Sequence, residues 1–205
     1  MDIINHGVFF AIEGIDGSGK TTQSRDLVDS LIKNGFNAVY TMEPSKGYIG
    51  TFIKEKIIIN KKVSPEVEAL LFAADRFEHI DSEILPLLRK GKIVVSDRYV
   101  HASIAYQGAQ GIDLEWIESL NYFTIEPDLA IYIDVPPSIG ISRKKGKKSV
   151  FENLESLSKV RKIYQDLVDK GNLTLINGMK KRDEIGRDLY KLALQTIEKK
   201  LRSQT

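Results

Sequence analysis

The sequence has no cysteine, and its 205 residues include only six prolines, three methionines and one tryptophan. The lack of cysteine excludes disulfides, iron–sulfur clusters and thiolate zinc sites, and it agrees with a reducing compartment. The sequence also lacks a large excess of charge of one sign, because it contains 30 Lys and Arg residues and 28 Asp and Glu residues. The resulting net charge of +2 does not indicate a protein that binds nucleic-acid polymers.

Long apolar runs are absent as well, since the longest fall far short of the roughly 20 residues that a membrane-spanning helix needs. The first residues lack the basic cluster and apolar core of a secretion signal. We therefore expect a cytoplasmic protein with no membrane partner. Hydrophobic residues make up 42% and charged residues 28%, as in ordinary folded proteins, and the length predicts a single domain over residues 1–205.

Short apolar runs alternate along the chain with segments whose apolar residues recur every three or four positions. Alternating strands and helices predict an α/β fold with a parallel sheet. Ser64 and Pro65 suit the start of a long helix, which Pro86 should interrupt. The predicted strands are residues 8–13, 37–42, 92–96, 129–135 and 173–176. The predicted helices are residues 20–34, 65–90, 99–109, 113–124, 153–170 and 182–201.

Residues 14–21, GIDGSGKT, match the phosphate-binding loop pattern G-x-x-x-x-G-K-[ST]. The glycines allow backbone N–H groups to converge on phosphate oxygens, and the helix that follows adds its positive end. Lys20 would reach the β- and γ-phosphates of a nucleotide, and the hydroxyl of Thr21 would bind Mg²⁺. The motif lies directly after a predicted buried strand and opens a predicted helix, as this function requires.

A second candidate site, Asp97-Arg98-Tyr99, directly follows the predicted strand 92–96. Ligands of open parallel sheets bind at the carboxyl ends of the strands. Asp97 would help to hold Mg²⁺, and the planar guanidinium of Arg98 would bind a phosphate. A surface ion pair that caps the next helix is the alternative. The phosphate-binding loop itself leaves the acceptor open, although the Asn-Lys-x-Asp guanine motif of GTPases is missing.

Several further segments carry a resemblance to a known family: residues 10–23, 43–44, 70–76, 97–108, 134–143 and 151–152. In these segments the chain resembles the thymidylate kinases, which phosphorylate dTMP. The resemblance implies a P-loop three-layer sandwich with a five-stranded parallel sheet in the order 2-3-1-4-5. It also implies a short lid at about residues 142–152, ATP as phosphoryl donor, Mg²⁺ and a homodimer.

The resemblance further assigns roles to individual residues of the acceptor site. Phe72 would stack on the thymine ring, and Arg76, one helical turn away, would donate to the O4 oxygen of the base. Asp16 would bind the 3′-hydroxyl, while Tyr106 would pack under the sugar and exclude a 2′-hydroxyl. The implied acceptor-binding residues are Asp16, Glu43, Phe72, Arg76, Arg98, Ser103, Tyr106 and Gln107. From the residues alone, Phe72 and Tyr106 could equally be core side chains, and Glu43 could be a turn residue.

The implied donor site comprises the phosphate-binding loop and the lid. Relatives of one type carry an arginine within the loop, where this chain has Gly17, so the lid residue Arg143 would supply the cation for phosphoryl transfer. Lys20, Arg98, Arg143 and Asp16 are the implied catalytic residues, and Thr21 and Asp97 the metal ligands. The implied ATP-binding residues are Gly14, Ile15, Asp16, Gly17, Ser18, Gly19, Lys20, Thr21, Thr22 and Arg143.

The chain departs from the family pattern around the Glu43-Pro44 pair and in the lid. Met42 stands where an arginine is common, and Ser45-Lys46 where Gly-Gly often follows. A phosphate contact is therefore in question, which Lys46 could restore as a point charge. Phe151 replaces a tyrosine of some relatives. Two alternatives stay open: a kinase of another deoxynucleotide or of a deoxynucleoside, with Glu13 or Asp97 as base, and a sensor that binds ATP without transfer.

Overall fold

The computed structural model describes residues 7–58, 63–143 and 154–202 of the chain. Its centre is a five-stranded, wholly parallel sheet in the order β2-β3-β1-β4-β5. The strands are β1 (Val8–Glu13), β2 (Ala38–Met42), β3 (Ile93–Asp97), β4 (Leu129–Asp134) and β5 (Thr174–Asn177). The predicted fold class and strand order are therefore confirmed.

Helices connect the strands and cover both faces of the sheet. They are α1 (Lys20–Lys33), α2 (Tyr48–Phe52), α3 (Pro65–His79), α4 (Leu85–Arg89), α5 (Val100–Ala109), α6 (Leu114–Leu120), α7 (Pro137–Arg143), α8 (Leu154–Asp169) and α9 (Arg182–Arg202). The described residues include two π-helical turns, Ile53–Ile57 after α2 and Ile80–Ile84 between α3 and α4. No helix in the described part of the chain is long and apolar enough to cross a membrane.

The core consists of two apolar layers, one on each side of the sheet. Phe9 and Ala11 of β1 face the layer that contains α4, α5 and α8, whereas Phe10 and Ile12 face the layer that contains α1 and α9. Both faces are thus buried, which explains why β1 is a continuous apolar run rather than an alternating one. The result is the predicted three-layer sandwich.

The strand register brings the two predicted sites together. Ile12 of β1 pairs with Asp97 of β3, and Met42 of β2 pairs with the same Asp97. Because the strands are parallel, the phosphate-binding loop after β1 and the residues after β3 emerge at one edge of the sheet.

The helix predicted over residues 65–90 begins as expected but is interrupted. The Ser64 hydroxyl accepts a hydrogen bond from the backbone N–H of Val67, with Pro65 at the first helical position. The π-helical turn Ile80–Ile84 separates α3 from α4, just before Pro86. A proline lacks the N–H of a regular helix and crowds the carbonyl four residues earlier, so the wider turn accommodates it.

Other boundaries differ from the prediction. The helix predicted over 113–124 ends at Leu120, and α2 and α7 were not predicted. Both are short, and glycines dilute their periodicity. Of the predicted lid, 142–152, only residues 142–143 lie within the described residues.

Candidate functional site

The phosphate-binding loop spans the gap between Glu13, the last residue of β1, and Lys20, the first residue of α1. Gly17 has φ 79° and Gly19 has φ 93°, both in the left-handed region that favours glycine. A Cβ atom at Gly17 would also overlap the backbone of Gly140 in α7. The loop therefore lies directly against α7, and a side chain at Gly17 would push the two apart.

Lys20 is buried within this loop, with a relative exposure of 6%. Its Nζ atom lies 3.4 Å from the carbonyl oxygen of Ile15 and 3.7 Å from the Asp16 carboxylate. Burial, and then the nearby charge of Arg98, hold the pKa of Lys20 below its ordinary value. A bound phosphate would favour the charged form, so the site suits a polyanion.

Thr21 and Asp97, the two predicted metal ligands, are in contact. The Thr21 hydroxyl donates to Asp97 Oδ2, which also accepts a hydrogen bond from the Tyr40 hydroxyl at 3.3 Å. The other oxygen, Oδ1, is buried and has no hydrogen-bond partner among the described residues. Hydroxyl and carboxylate oxygens are the ligands that Mg²⁺ prefers, and protein sites for it usually add phosphate oxygens of the substrate. These residues therefore fit a magnesium ion.

Arg98 joins the two sides of the site. Its Nη2 atom donates to the Asp16 carboxylate and, at 3.2 Å, to the Tyr106 hydroxyl, and its guanidinium lies 4.7 Å from the centroid of the Tyr106 ring. The Tyr106 hydroxyl also accepts from the backbone N–H of Asp16 at 3.1 Å. Burial opposes the charge of Arg98, but Tyr106 and Asp16 raise its pKa above its ordinary value. A permanent cation thus lies beside the phosphate-binding loop.

A cavity of about 180 Å³ opens next to these residues. It is lined by Asp16, Pro44, Ile58, Glu68, Phe72, Arg98, Ala102, Ser103, Tyr106 and Gln107. Six of the eight implied acceptor-binding residues therefore line one cavity. A larger surface hollow, of about 790 Å³ between α1 and α9, contains none of the predicted site residues.

The other two implied acceptor-binding residues, Arg76 and Glu43, do not line the cavity and form an ion pair with each other. Nε and Nη2 of Arg76 donate to Glu43 Oε2 at 2.9 and 2.6 Å. Its Nη1 donates to Asn121 at 2.6 Å, and its Nη2 also donates to Ser103 at 3.1 Å. The contact that Arg76 would make with O4 of a base stays a prediction, because Arg76 is 1% exposed and does not line the cavity here.

His79 extends this network on the far side of Glu43. Its Nδ1 lies 3.3 Å from Glu43 Oε1, and its Nε2 lies 2.6 Å from the Thr41 hydroxyl and 3.5 Å from Glu83. Burial alone would lower the pKa of His79, but hydrogen bonds to Glu43 and Glu83 raise it to about 9. Glu43 is thus held between two cations, as a network residue rather than a turn residue.

Sequence reasoning missed several members of the site. Glu68 precedes Phe72 by four residues, as Phe72 precedes Arg76, so helical spacing could have placed Glu68 on the same face. Tyr40 stands two residues before Met42 on β2, and strand alternation could have suggested its direction. Asn121 follows the end of α6, and nothing in the sequence links it to Arg76.

Glu13, proposed above as the base of a deoxynucleoside kinase, is fully buried. Its carboxylate accepts from the backbone N–H of Tyr99 at 2.8 Å and from the Tyr164 hydroxyl at 2.9 Å. Burial raises its pKa to about 7. His101 lies 3.9 Å away, but burial lowers the pKa of this imidazole to about 4, so the contact is not an ion pair at neutral pH. Glu13 therefore connects β1 to Tyr99 and to Tyr164 of α8 through buried hydrogen bonds.

The segment after Glu43 departs from the family pattern, and in the structure Ser45 of this segment binds a residue of α3. Its backbone N–H and hydroxyl both donate to the buried Asp75 of α3, at 2.9 and 2.6 Å. Lys46 is exposed and does not line the cavity. Ser45 therefore fixes the backbone beside the cavity, and the replacement of the missing arginine by Lys46 stays a prediction.

Arg143 lies at the end of α7, on the donor side of the loop. Its two terminal nitrogens lie 3.4 Å from the carbonyl oxygen of Gly178, in the turn after β5. With Ser18, Gly19 and Thr22 it borders a hollow of about 210 Å³. This position beside the loop suits a contact with ATP. The basic lid residues that follow, and Phe151, lie outside the described residues.

Comparison with known proteins agrees with this geometry. The family model described as "Thymidylate kinase" matches residues 12–189. A probable thymidylate kinase of Staphylothermus marinus is 44% identical over 196 residues, covering 94% of this chain and 98% of the relative. Proteins of the same description from Pyrococcus abyssi and Pyrobaculum aerophilum are 42% and 43% identical, over 91% and 92% of this chain and 95% and 97% of their own. The chain belongs to the thymidylate kinase family.

Proposed function

We propose that this protein transfers the γ-phosphoryl group of ATP to the phosphate of dTMP, yielding ADP and dTDP for dTTP biosynthesis. One observation carries the proposal: Phe72 lines the same cavity as Asp16 and Arg98, and Asp16 belongs to the phosphate-binding loop. An acceptor held in the cavity would thus present its phosphate next to the donor site. Membership of the family supports dTMP as that acceptor.

The residues around the cavity suit the parts of a deoxynucleotide. Phe72 offers an aromatic surface for the base, and Ser103 and Gln107 add polar groups to the same wall. Tyr106, held by Arg98 and Asp16, would lie under the sugar and leave no space for a 2′-hydroxyl. Asp16 would accept a hydrogen bond from the 3′-hydroxyl, and Arg98 would bind the acceptor phosphate.

Charge neutralisation and positioning would then accelerate the transfer. An oxygen of the dTMP phosphate bonds to the γ-phosphorus while the bond to the β–γ bridging oxygen breaks, and ADP leaves. The acceptor oxygen is already anionic, so no general base is needed. Lys20 and Arg98 would stabilise the transferred group, and Arg143 would complete its surroundings from the lid. Mg²⁺, held by Thr21 and Asp97, would neutralise phosphate charge when bound.

The deoxynucleoside kinase is less well supported, because it needs a free carboxylate base. Glu13 is enclosed by Tyr99 and Tyr164, and Asp97 is engaged by Thr21 and Tyr40. A sensor that binds ATP alone would have no use for the Arg98–Asp16–Tyr106 cluster beside an apolar cavity. Both observations favour the monophosphate kinase.

The proposal includes a cytoplasmic homodimer. Exposed apolar side chains on α3 and after α6, among them Leu70, Phe77 and Tyr122, support a partner surface there. These helices lie within the segments 64–90 and 99–124, which we suggest as the interface. The lack of cysteine agrees with a reducing compartment such as the cytoplasm.

The direct test is the rate of ADP release from ATP and Mg²⁺ with dTMP, dUMP, dCMP, dAMP, dGMP, UMP and thymidine as acceptors. We expect dTMP to give the highest kcat/KM, with thymidine inactive. Faster ADP release with thymidine than with dTMP would support the nucleoside kinase instead. If no acceptor accelerates ADP release although ATP binds, the kinase proposal fails.

A further inference from the structure

The wall of the acceptor cavity contains a buried carboxylate that no step of the proposed reaction uses. Glu68 of α3 is 1% exposed, and its Oε1 accepts a hydrogen bond from Gln107 Nε2 at 2.9 Å and from Gln110 Nε2 at 3.3 Å. Glu68 and Gln107 both line the cavity, next to Phe72. This pair is therefore placed to influence whatever lies against Phe72.

The hydrogen bond determines which way the Gln107 amide points. A side-chain amide has a donor end and an acceptor end of nearly the same shape, so its surroundings decide its orientation. Oε1 of Glu68 acts as an acceptor toward two amides, so Gln107 must turn its N–H₂ group toward Glu68. The amide oxygen of Gln107 is consequently directed away from Glu68.

That oxygen has no donor. Gln107 is 2% exposed, and its Oε1 is buried without a hydrogen-bond partner among the residues that the structure describes. Buried acceptors are normally paired, because leaving one without a donor is costly. In a residue that lines a ligand cavity, such an acceptor calls for an N–H group supplied by the ligand.

The chemistry of pyrimidines makes this requirement selective. Thymine and uracil carry a hydrogen on N3, which is a donor, whereas N3 of cytosine is an acceptor. An amide oxygen facing N3 favours the first two bases and repels cytosine, and an amide flipped by half a turn would reverse the preference. We propose that Glu68 is a positioning residue that fixes the Gln107 amide in the orientation that accepts a hydrogen bond from N3–H of the base. This inference deepens the proposed function and rests on it.

Glu68→Gln tests the inference, because glutamine has nearly the same shape but offers both a donor and an acceptor. Gln107 can then take either orientation. We expect the ratio of kcat/KM for dTMP to that for dCMP to fall about tenfold or more. The stabilisation of the protein by each nucleotide without ATP, measured as a shift in Tm, should change in the same direction.

Two further variants separate positioning from a merely structural role. Gln110→Leu removes the longer of the two hydrogen bonds to Glu68 but leaves that of Gln107, and it should keep the base preference. Gln107→Leu should weaken the preference, and adding Glu68→Gln to it should change the ratio no further, because Glu68 acts through Gln107.

The outcomes distinguish this inference from the proposed function. If the wild type prefers dTMP and a folded Glu68→Gln variant keeps the full preference, the inference is wrong and the kinase proposal stands. If Glu68→Gln lowers kcat/KM by the same factor for dTMP and for dCMP, Glu68 has only a structural role and the inference is likewise wrong. If the wild type phosphorylates neither nucleotide, the proposed function itself fails.

Discussion

At the scale of single residues, Glu43 is a buried carboxylate that lies between Arg76 and His79. A buried ion pair adds little net stability, but removing one partner leaves an unpaired charge and is costly. Here the two cations occupy opposite oxygens of the carboxylate. The network therefore holds the Arg76 side chain in place, and the predicted contact of Arg76 with the base would depend on it.

The charge on His79 predicts a pH dependence of stability. Its pKa is raised from the ordinary 6.5 to about 9 in the folded protein. The stabilisation is complete below pH 6.5 and is lost as the pH rises through 9. Between pH 7.5 and 9.5 we expect the free energy of unfolding to fall by about 2 kcal/mol more in the wild type than in His79→Gln. Urea unfolding at both pH values measures this difference.

Groups that titrate alike in both proteins cancel in this comparison, and the chosen window lies above the main titration ranges of Glu13 and His101. Glu13, with its pKa raised to about 7, loses its stabilisation between pH 4.5 and 7, and His101, with its pKa lowered to about 4, loses its stabilisation as the pH falls below 6.5. Parallel pH profiles for the wild type and His79→Gln would show that His79 is neutral in the folded protein.

Arg98 should matter for turnover and acceptor binding but not for ATP binding. Removing one preorganised donor from a charged transition state typically costs about a hundredfold to a thousandfold in rate. We expect Arg98→Ala to lower kcat/KM for dTMP by at least about a hundredfold, measured by coupled ADP release. ATP affinity, measured by calorimetry, should change little.

The matched control for Arg98→Ala is Lys162→Ala, which removes a cation from an exposed ion pair with Asp166 on α8. It should leave both measurements unchanged. A protein whose turnover survives Arg98→Ala would need a different phosphate-binding residue.

At the scale of elements, the phosphate-binding loop and α7 are in close backbone contact. A Cβ atom at Gly140 would come within 2.5 Å of the Asp16 carbonyl oxygen. We therefore expect Gly140→Ala to displace the loop, to lower kcat by tenfold or more, and to cost about 1–3 kcal/mol of stability. Steady-state kinetics and thermal unfolding measure the two effects.

Gly186, on α9, has room for a Cβ atom, unlike Gly140. A Cβ atom there meets only the tip of the Gln23 side chain, at 3.5 Å. Gly186→Ala should stabilise the protein by about 0.5–1 kcal/mol, since alanine is the better helix former. If both alanine variants behave alike, the loop does not depend on close contact with α7.

At the scale of the whole molecule, apolar side chains on the outer face of α3 are exposed to solvent in the single chain. Leu70 and Phe77 are each 48% exposed, and Tyr122, after α6, is 86% exposed. We expect the native protein to sediment at twice the 23.1 kDa of one chain, and Leu70→Glu to shift it toward the monomer.

Ile32→Glu is the matched control, because Ile32 is 52% exposed on α1, outside the suggested interface. It should leave the sedimentation behaviour unchanged. A wild type that sediments as a monomer at micromolar concentration would contradict the proposed dimer.

Local patterns account for much of the fold. The apolar runs, the cap at Ser64 and the phosphate-binding loop depend on neighbours in the chain, so they could be predicted with boundaries close to those observed. The contact of Thr21 with Asp97 could also be anticipated, because Asp97 ends β3 and Thr21 stands at the start of α1, at the same edge of the sheet. Short elements such as α2 and α7 could not, since a few residues carry too little periodicity.

The sequence by itself determined the fold class of the molecule and the position of the phosphate-binding loop, because the loop motif acts through backbone geometry that a few adjacent residues impose. Only the tertiary structure decided how Arg76, Glu43, His79 and Asn121 share their hydrogen bonds. It alone also showed the hydrogen bond between Gln107 and Glu68 on which the further inference rests. These contacts join residues that are tens of positions apart, and their geometry depends on how whole helices pack against the sheet.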